Sequence, residues 1–152
     1  MESMESRMVK LYARNNNHVA LHAIPGHFAT SHSHINFYID MTSLKTRANE
    51  AQEVAKSLAG DYVNSTVVDT IVCMDGTEVV GAYLAQEFEK RGFRNTNLHD
   101  TIYIVTPEYN ANNQLIFRDN TIPAIKGKNV ILLLATTTTG LTVRRSQECV
   151  QY

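Results

Sequence analysis

Four consecutive threonines followed by a glycine are the feature of this sequence with the clearest chemical potential. They occupy residues 136–139, directly after the apolar run 130–135. Their hydroxyl and backbone N–H groups can donate hydrogen bonds, the glycine permits close backbone approach, and a helix that starts here presents its positive end. The pattern predicts phosphate binding by Thr137, Thr138, Thr139, Gly140 and Thr142. The alternative is a threonine-rich turn that only caps its helix.

A second polar loop, formed by Asp75, Gly76 and Thr77, also follows an apolar stretch. In open α/β sheets, ligands bind beyond the carboxyl ends of the strands, where loops lead into helices. Thr77 is the expected N-cap of the next helix. The carboxylates of Asp75 and Glu78 could contact Mg²⁺ or a water bound to a diphosphate, or they could only stabilise the positive end of the helix.

Aromatic and histidine side chains near the N-terminus are weaker candidates. Phe37 and Tyr38 could stack on a nucleobase, although aromatic residues in strands more often belong to a core or an interface. Five histidines cluster in this region, but a metal site needs three or four converging ligands, and no HExxH pattern supports one. These histidines are His18, His22, His27, His32 and His34, with His32 and His34 expected on one strand face. We interpret them as surface residues and predict no metal site.

The composition excludes several classes of protein. The chain has 152 residues, 43% hydrophobic and 19% charged, which predicts a single globular domain over residues 1–152. Fourteen basic and fifteen acidic residues leave a net charge of −1, which argues against nucleic-acid binding. No apolar run is long enough to span a membrane, and the acidic start does not have the pattern of a signal peptide. Cys73 and Cys149 form no CxxC pair, which argues against a disulfide framework or a zinc ribbon, and we expect a cytoplasmic protein. Cys73 lies in an apolar strand pattern and is expected to be an inert core residue.

Strand and helix patterns alternate along the chain, and unbroken apolar strands are typical of a parallel sheet covered on both faces. The sequence therefore predicts an α/β domain with a mainly parallel central sheet flanked by helices. A small N-terminal β layer, broken at Pro25 and Gly26, follows a ragged lead-in over residues 1–17. The predicted strands are 19–23, 35–39, 67–74, 101–105, 114–117 and 130–134, and the predicted helices run from Thr42 or Ser43 to Gly60, from Thr77 to Gly92, and from Gly140 toward Tyr152.

Residues 130–142 resemble the phosphoribosyl-diphosphate (PRPP) motif of type I phosphoribosyltransferases, in which an apolar strand leads through two acidic residues to a Thr/Gly loop. Residues 75–77 stand where this family has its pyrophosphate loop. Residues 26–28 and 36–40 are similar to the hood segment of orotate phosphoribosyltransferases. The resemblance implies a type I phosphoribosyltransferase-like domain with a small N-terminal hood at residues 18–41 and a core at residues 42–152.

The chemistry that this resemblance implies is Mg²⁺-dependent transfer of ribose 5-phosphate from PRPP to a nucleobase. The Thr/Gly loop would hold the 5-phosphate through Thr138, Thr139, Gly140 and Thr142. Asp75, Gly76 and Thr77 would hold the pyrophosphate, with Mg²⁺ present only when PRPP is bound. The resemblance also implies a homodimer, because family members pair through the hood and a mobile loop.

Three elements of the family's catalytic chemistry are altered in this sequence. Leu134 and Ala135 replace the acidic pair, and the connection 106–113, which corresponds to the mobile loop, has no Lys, Arg or His. Thr30 or Ser31 stands where orotate enzymes carry a lysine that contacts the base. We therefore expect binding of a phosphorylated ribose or nucleotide, with transfer activity lost or strongly reduced and no catalytic residue assigned. The alternative is an active phosphoribosyltransferase that uses orotate or a related nucleobase.

Overall fold

The computed structural model describes residues 3–31, 33–137 and 140–151 and has a mixed α/β architecture. It combines a parallel three-stranded sheet with an antiparallel three-stranded sheet, a short hairpin and, in the described ranges, four α-helices. None of the helices in these ranges is long and apolar enough to cross a membrane. The elements are β1 (Val9–Tyr12), β2 (Ala20–Ala29), β3 (His34–Asp40), α1 (Thr42–Thr46), α2 (Ala48–Ala59), β4 (Thr70–Cys73), α3 (Glu78–Lys90), β5 (Tyr103–Val105), β6 (Glu108–Tyr109), β7 (Leu115–Ile116), β8 (Val130–Leu133) and α4 (Leu141–Gln151), with short 3-10 turns at Met4–Arg7 and Ile122–Ala124.

The N-terminal sheet has the order β1-β2-β3 and is antiparallel throughout. The prediction of a ragged lead-in is wrong over β1, which pairs with β2 from Val9 opposite Ala23. The predicted break at Pro25 and Gly26 is also wrong, because β2 continues through both residues. The register between β2 and β3 shifts between Pro25 and Phe28, as it does at a β-bulge. Proline is tolerated at such positions because the strand does not need a hydrogen bond from every N–H there. The predicted strand 35–39 is confirmed as β3.

The parallel sheet has the order β5-β4-β8, which confirms the predicted parallel arrangement. All four residues of the central strand β4 are fully buried. Side chains alternate between two faces, so Ile71 and Cys73 pack against α2 and α3, while Val72 and Met74 pack in a second apolar cluster with Val150 of α4. The sheet is therefore covered on both faces, and its ends are the places where polar side chains can collect.

The first predicted helix is divided into α1 and α2 at Arg47, whose backbone is extended with φ −91° and ψ 118°. Gly60 ends α2 in a right-handed conformation with φ −65°, so the left-handed C′ glycine expected there is not formed. Gly92, just past α3, does have a positive φ of 77°. The predicted second helix is confirmed as α3, and the expected glycine follows its carboxyl end.

The carboxylate of Asp69 joins the amino ends of the three parallel strands. This side chain is fully buried and accepts hydrogen bonds from the backbone and side chain of Thr96, before β5, and of Asn129, before β8. Burial acts to raise the pKa of Asp69, but the hydrogen bonds from Asn129 and Thr96 together lower it below its ordinary value. The ionised carboxylate is therefore the form that the fold stabilises.

We predict that Asp69→Asn lowers the free energy of unfolding by about 2–4 kcal/mol at pH 7, because two of its bonds become unfavourable donor–donor contacts. Urea unfolding measures the loss. A group with a lowered folded pKa stabilises the protein above its unfolded pKa, so the difference between the two proteins should shrink as the pH falls below about 4. Asp119→Asn, at an exposed turn, is the matched control. Equal stabilities of wild type and Asp69→Asn at pH 7 would contradict this role.

Candidate functional site

Strands β4 and β8 end side by side, so the two loops singled out by the sequence begin at the same edge of the sheet. The N–H of Met74 donates to the carbonyl of Leu133 at 2.9 Å. The hydroxyl of Thr77 donates to the carbonyls of both Met74 and Leu133, at 2.7 and 3.2 Å. These bonds tie the start of the β4–α3 loop to the last residue of β8.

The β4–α3 turn consists of Asp75 and Gly76, both exposed and both in the left-handed region, with φ 53° and 75°. No acceptor in the described ranges takes their N–H groups. Thr77 is buried, and both its N–H and its hydroxyl donate to carbonyls of the fold. It stands at the N-cap position of α3, as predicted, but its hydroxyl donates to the carbonyl of Met74 and makes no capping bond to the helix. Thr77 holds the shape of the turn, while the exposed groups of Asp75 and Gly76 face solvent.

The β8–α4 loop carries the predicted phosphate site. Gly140 has φ 77°, and apart from its chain neighbours no atom of the described residues lies within 4 Å of the position that a Cβ would take there. Its carbonyl accepts the N–H of Arg144 at 3.0 Å, which closes the first turn of α4. Thr137 and Thr142 are exposed, whereas Thr138 and Thr139 lie outside the described residues. The open glycine therefore stands directly before the positive end of an eleven-residue helix.

Leu134 and Ala135 connect β8 to this loop and are both partly buried. The side chain of Leu134 packs against the apolar cluster of Val72, Met74, Val105 and Ile125. An apolar residue here completes the core under the second face of the sheet. The side chain of Leu134 next to the candidate site is therefore a hydrocarbon and has no hydrogen-bond acceptor.

Lys45 is a charged residue of the site that sequence analysis missed. Its ammonium nitrogen lies 3.0 Å from the carbonyl oxygen of Asp75, although the two residues are 30 positions apart. Glu78, at the start of α3, accepts a hydrogen bond from the hydroxyl of Thr106 at 3.4 Å. No local pattern around Lys45 marks it, because only the packing of α1 beside the turn brings it there.

The connection 106–113 includes β6, which pairs with β7 as a short hairpin. Arg118, the first basic residue after this connection, forms an ion pair with Glu108, and that contact lowers the pKa of Glu108. Tyr109 is 54% exposed on the hairpin. The hairpin thus presents no unpaired cation of its own toward a ligand within residues 106–113.

The remaining predicted candidates lie in the N-terminal sheet. Phe37 and Tyr38 are both about half exposed, but as successive strand residues they point to opposite faces, so one ligand cannot stack on both. The ring of Tyr38 packs against Phe28, with centroids 5.8 Å apart. Nε2 of His27 lies 2.8 Å from Nδ1 of His34, while His32 lies outside the described residues. Across residues 3–31, 33–137 and 140–151, no three ligating side chains form a metal-binding group.

Comparison with known proteins gives only a weak structural likeness. No protein-family model matches the chain, and no curated protein matches it. Among solved structures, the chain is similar to the crystal structure of orotate phosphoribosyltransferase from Mycobacterium tuberculosis H37Rv in complex with Fe(III) dicitrate, with a TM-score of 0.44 and 16% sequence identity. The match covers 85% of this chain and 71% of that chain.

Close packing of α3 on β4 positions the first residues of α3 at the candidate site. Gly81 of α3 lies directly over Cys73, so closely that a Cβ on Gly81 would collide with the sulfur. Cys73 is fully buried, as predicted, and burial raises the pKa of its thiol to about 11, so the thiol stays protonated. A glycine at this point of the helix is therefore a packing requirement.

We predict that Gly81→Ala lowers the free energy of unfolding by about 1–3 kcal/mol through overpacking, although alanine is the better helix former. Cys73→Ala removes the sulfur with which the new methyl group collides. In the Cys73→Ala background, Gly81→Ala should therefore lower the free energy of unfolding much less than it does in the wild type. Urea unfolding of the four proteins measures the coupling. Strictly additive effects would show that the contact between α3 and β4 is not the cause.

Proposed function

We propose that this protein binds a phosphorylated ribose, as PRPP, ribose 5-phosphate or a nucleotide, at the carboxyl edge of its parallel sheet. The observation that carries the proposal is the joint ending of β4 and β8, fixed by the bond from Met74 to Leu133. Because of it, two loops that each contain a glycine and lead into a helix begin beside each other. Paired loops of this kind suit a ligand with anionic groups.

The β8–α4 loop is the proposed site of the 5-phosphate. The space beside Gly140 lets a phosphate approach the backbone, and the first turn of α4 supplies N–H donors and the positive end of the helix dipole. The exposed hydroxyls of Thr137 and Thr142 are available as further donors. Thr138 and Thr139 belong to the proposal on the sequence pattern alone.

The turn of Asp75 and Gly76 is the proposed site of a second anionic group, such as the diphosphate of PRPP. The donor set fits Mg²⁺ carried by such a ligand, because Mg²⁺ is commonly held by one or two carboxylates together with substrate phosphates and water. Asp75 and Glu78 would supply the carboxylate oxygens. Bound in this way, Mg²⁺ would neutralise phosphate charge beside these acidic side chains.

Transfer chemistry is proposed to be lost or strongly reduced. Leu134 and Ala135 have no acceptor for ribose hydroxyls and no negative charge to stabilise a cation developing at the anomeric carbon. The hairpin connection carries no Lys, Arg or His to neutralise a leaving diphosphate. Preorganised charge is usually the largest contribution to catalysis, so its absence favours a binding protein over an orotate-type transferase.

Ribose 5-phosphate at millimolar concentration should raise the melting temperature of the wild-type protein, because a ligand that binds only the folded state stabilises it by mass action. Gly140→Val should abolish the rise, since its side chain would fill the open space and strain a positive φ. Gly127→Val is the matched control, because Gly127 also has a positive φ and open space but lies at the opposite end of β8. No rise in the wild type, or an equal rise in Gly140→Val, would contradict the proposed site.

Steady-state assays with PRPP, Mg²⁺ and orotate should detect no transfer by the wild-type protein. A single missing electrostatic group of this kind costs about 2.7–4 kcal/mol, or about a hundred- to a thousand-fold in rate. Ala135→Asp should tighten binding of Mg-PRPP, measured by calorimetry, without restoring full turnover. It is a cleaner test than a change at Leu134, whose side chain belongs to the apolar cluster. Turnover by the wild type near one per second would contradict the loss of transfer chemistry.

A further inference from the structure

Lys45 approaches the β4–α3 turn from a separate helix. Leu44, the preceding residue, is almost completely buried and anchors α1 against the core. The ammonium of Lys45 is thereby held 3.0 Å from the carbonyl oxygen of Asp75 and 3.8 Å from the position of a Cβ on Gly76. The lysine side chain is the only neighbour within 4 Å of that position in the described ranges. One cation therefore stands over the exposed side of the turn.

Within the part of the chain that the structure describes, no ion pair neutralises the charge of Lys45. Lysines 56 and 90 are paired with glutamates, whereas no carboxylate in the described ranges pairs with Lys45. Its only hydrogen-bond acceptor there is the neutral carbonyl of Asp75, which satisfies one of three ammonium donors. Two donors and the positive charge thus remain available beside a turn whose own N–H groups have no acceptor among the described residues.

Acidic side chains lie close to the same turn. Their negative charge would repel an anionic ligand, so binding of such a ligand there needs a nearby cation. Asp75 and Glu78 lie in and after the turn, and Asp40 is close enough for the charge of Lys45 to help lower its pKa, after the larger effect of hydrogen bonds from Thr42. Without a nearby cation, this surface would repel phosphate. The hairpin connection 106–113 cannot supply one.

We propose that Lys45 is a ligand-binding residue, whose ammonium contacts the second anionic group of the ligand at the turn of Asp75 and Gly76. This inference rests on the proposed function and adds the residue that makes the turn selective for a diphosphate-like group. A ligand oxygen beside Gly76 reaches the lysine and the free N–H groups of the turn together. Lys45 in this way provides, from α1, the positive charge that the hairpin does not have.

Calorimetric titrations with inorganic pyrophosphate in Mg²⁺ and, separately, with ribose 5-phosphate test the proposal. Lys45→Met keeps most of the aliphatic stem and removes the charge, so pyrophosphate affinity should fall at least about tenfold, the effect of one charge-assisted hydrogen bond. Ribose 5-phosphate affinity should stay at the wild-type value, because its phosphate binds at Gly140. Lys45→Arg should restore most of the pyrophosphate affinity, and Lys56→Met, which removes a lysine far along α2, should bind both ligands as the wild type does.

The outcomes separate this inference from the proposed function. A wild-type protein that binds neither ligand overturns both. A wild type that binds both ligands, with Lys45→Met binding pyrophosphate equally well, overturns only the role of Lys45. Loss of both ligands in Lys45→Met, or no rescue by Lys45→Arg, shows that the lysine only supports the turn and also overturns the inference.

A measurement on the wild-type protein covers the case in which the variants do not fold. Lys45 is only partly buried, so acetic anhydride can modify it, and mass spectrometry reports the extent at each lysine. Pyrophosphate should slow acetylation of Lys45 and leave that of Lys56 unchanged. Equal acetylation of Lys45 with and without pyrophosphate, under conditions where calorimetry shows binding, overturns the proposal.

Discussion

The buried carboxylate of Asp69 is the interaction on which the rest of the structure depends. It connects the segments before β5 and β8 to the first residues of β4, through donors from Thr96 and Asn129. Once these amino ends are fixed, the parallel register brings Cys73 opposite Leu133 four residues later. The two loops then leave the sheet together, held by Thr77. A polar network at one end of the sheet thus fixes how the two loops are placed at the other.

The candidate site combines features that favour anion binding with features that oppose sugar-transfer chemistry. Lys45 lies beside the exposed turn of Asp75 and Gly76, while Leu134 belongs to the apolar cluster beneath the sheet edge. An acidic residue at position 134 would cost packing as well as add charge. Leu134 is therefore part of the core and not a surface residue.

Local sequence patterns predicted those parts of the fold that depend on local physics. The helix from Thr77 to Gly92 has a capping residue before it and a glycine after it, and the run at 130–134 is continuously apolar. The structure confirms them as α3 and β8. Strand β1 was missed because its pattern is weak and it becomes a strand only through pairing with β2. The split at Arg47 was missed because apolar spacing continues across it, and the continuity of β2 because a bulge accommodates Pro25.

The site shows the same division between local and long-range effects. The loops at 75–77 and 136–140 could be found from composition, since glycine and threonine after an apolar strand have a local meaning. Asp69 and Lys45 could not, because their partners lie 27 to 60 and 30 residues away. Opposite orientation of Phe37 and Tyr38, in contrast, follows from strand geometry and was accessible from sequence.

Backbone amide spectra of ¹⁵N-labelled protein during a titration with ribose 5-phosphate test directly whether the β8–α4 loop binds the phosphate. Progressive, saturable shifts of the Gly140 and Thr142 signals are expected, because their N–H groups would donate to the phosphate. The Gly127 signal, from a glycine of similar conformation at the other end of β8, should not move. Unchanged Gly140 and Thr142 signals at saturating ligand, or shifts confined to another surface, would contradict binding at this loop.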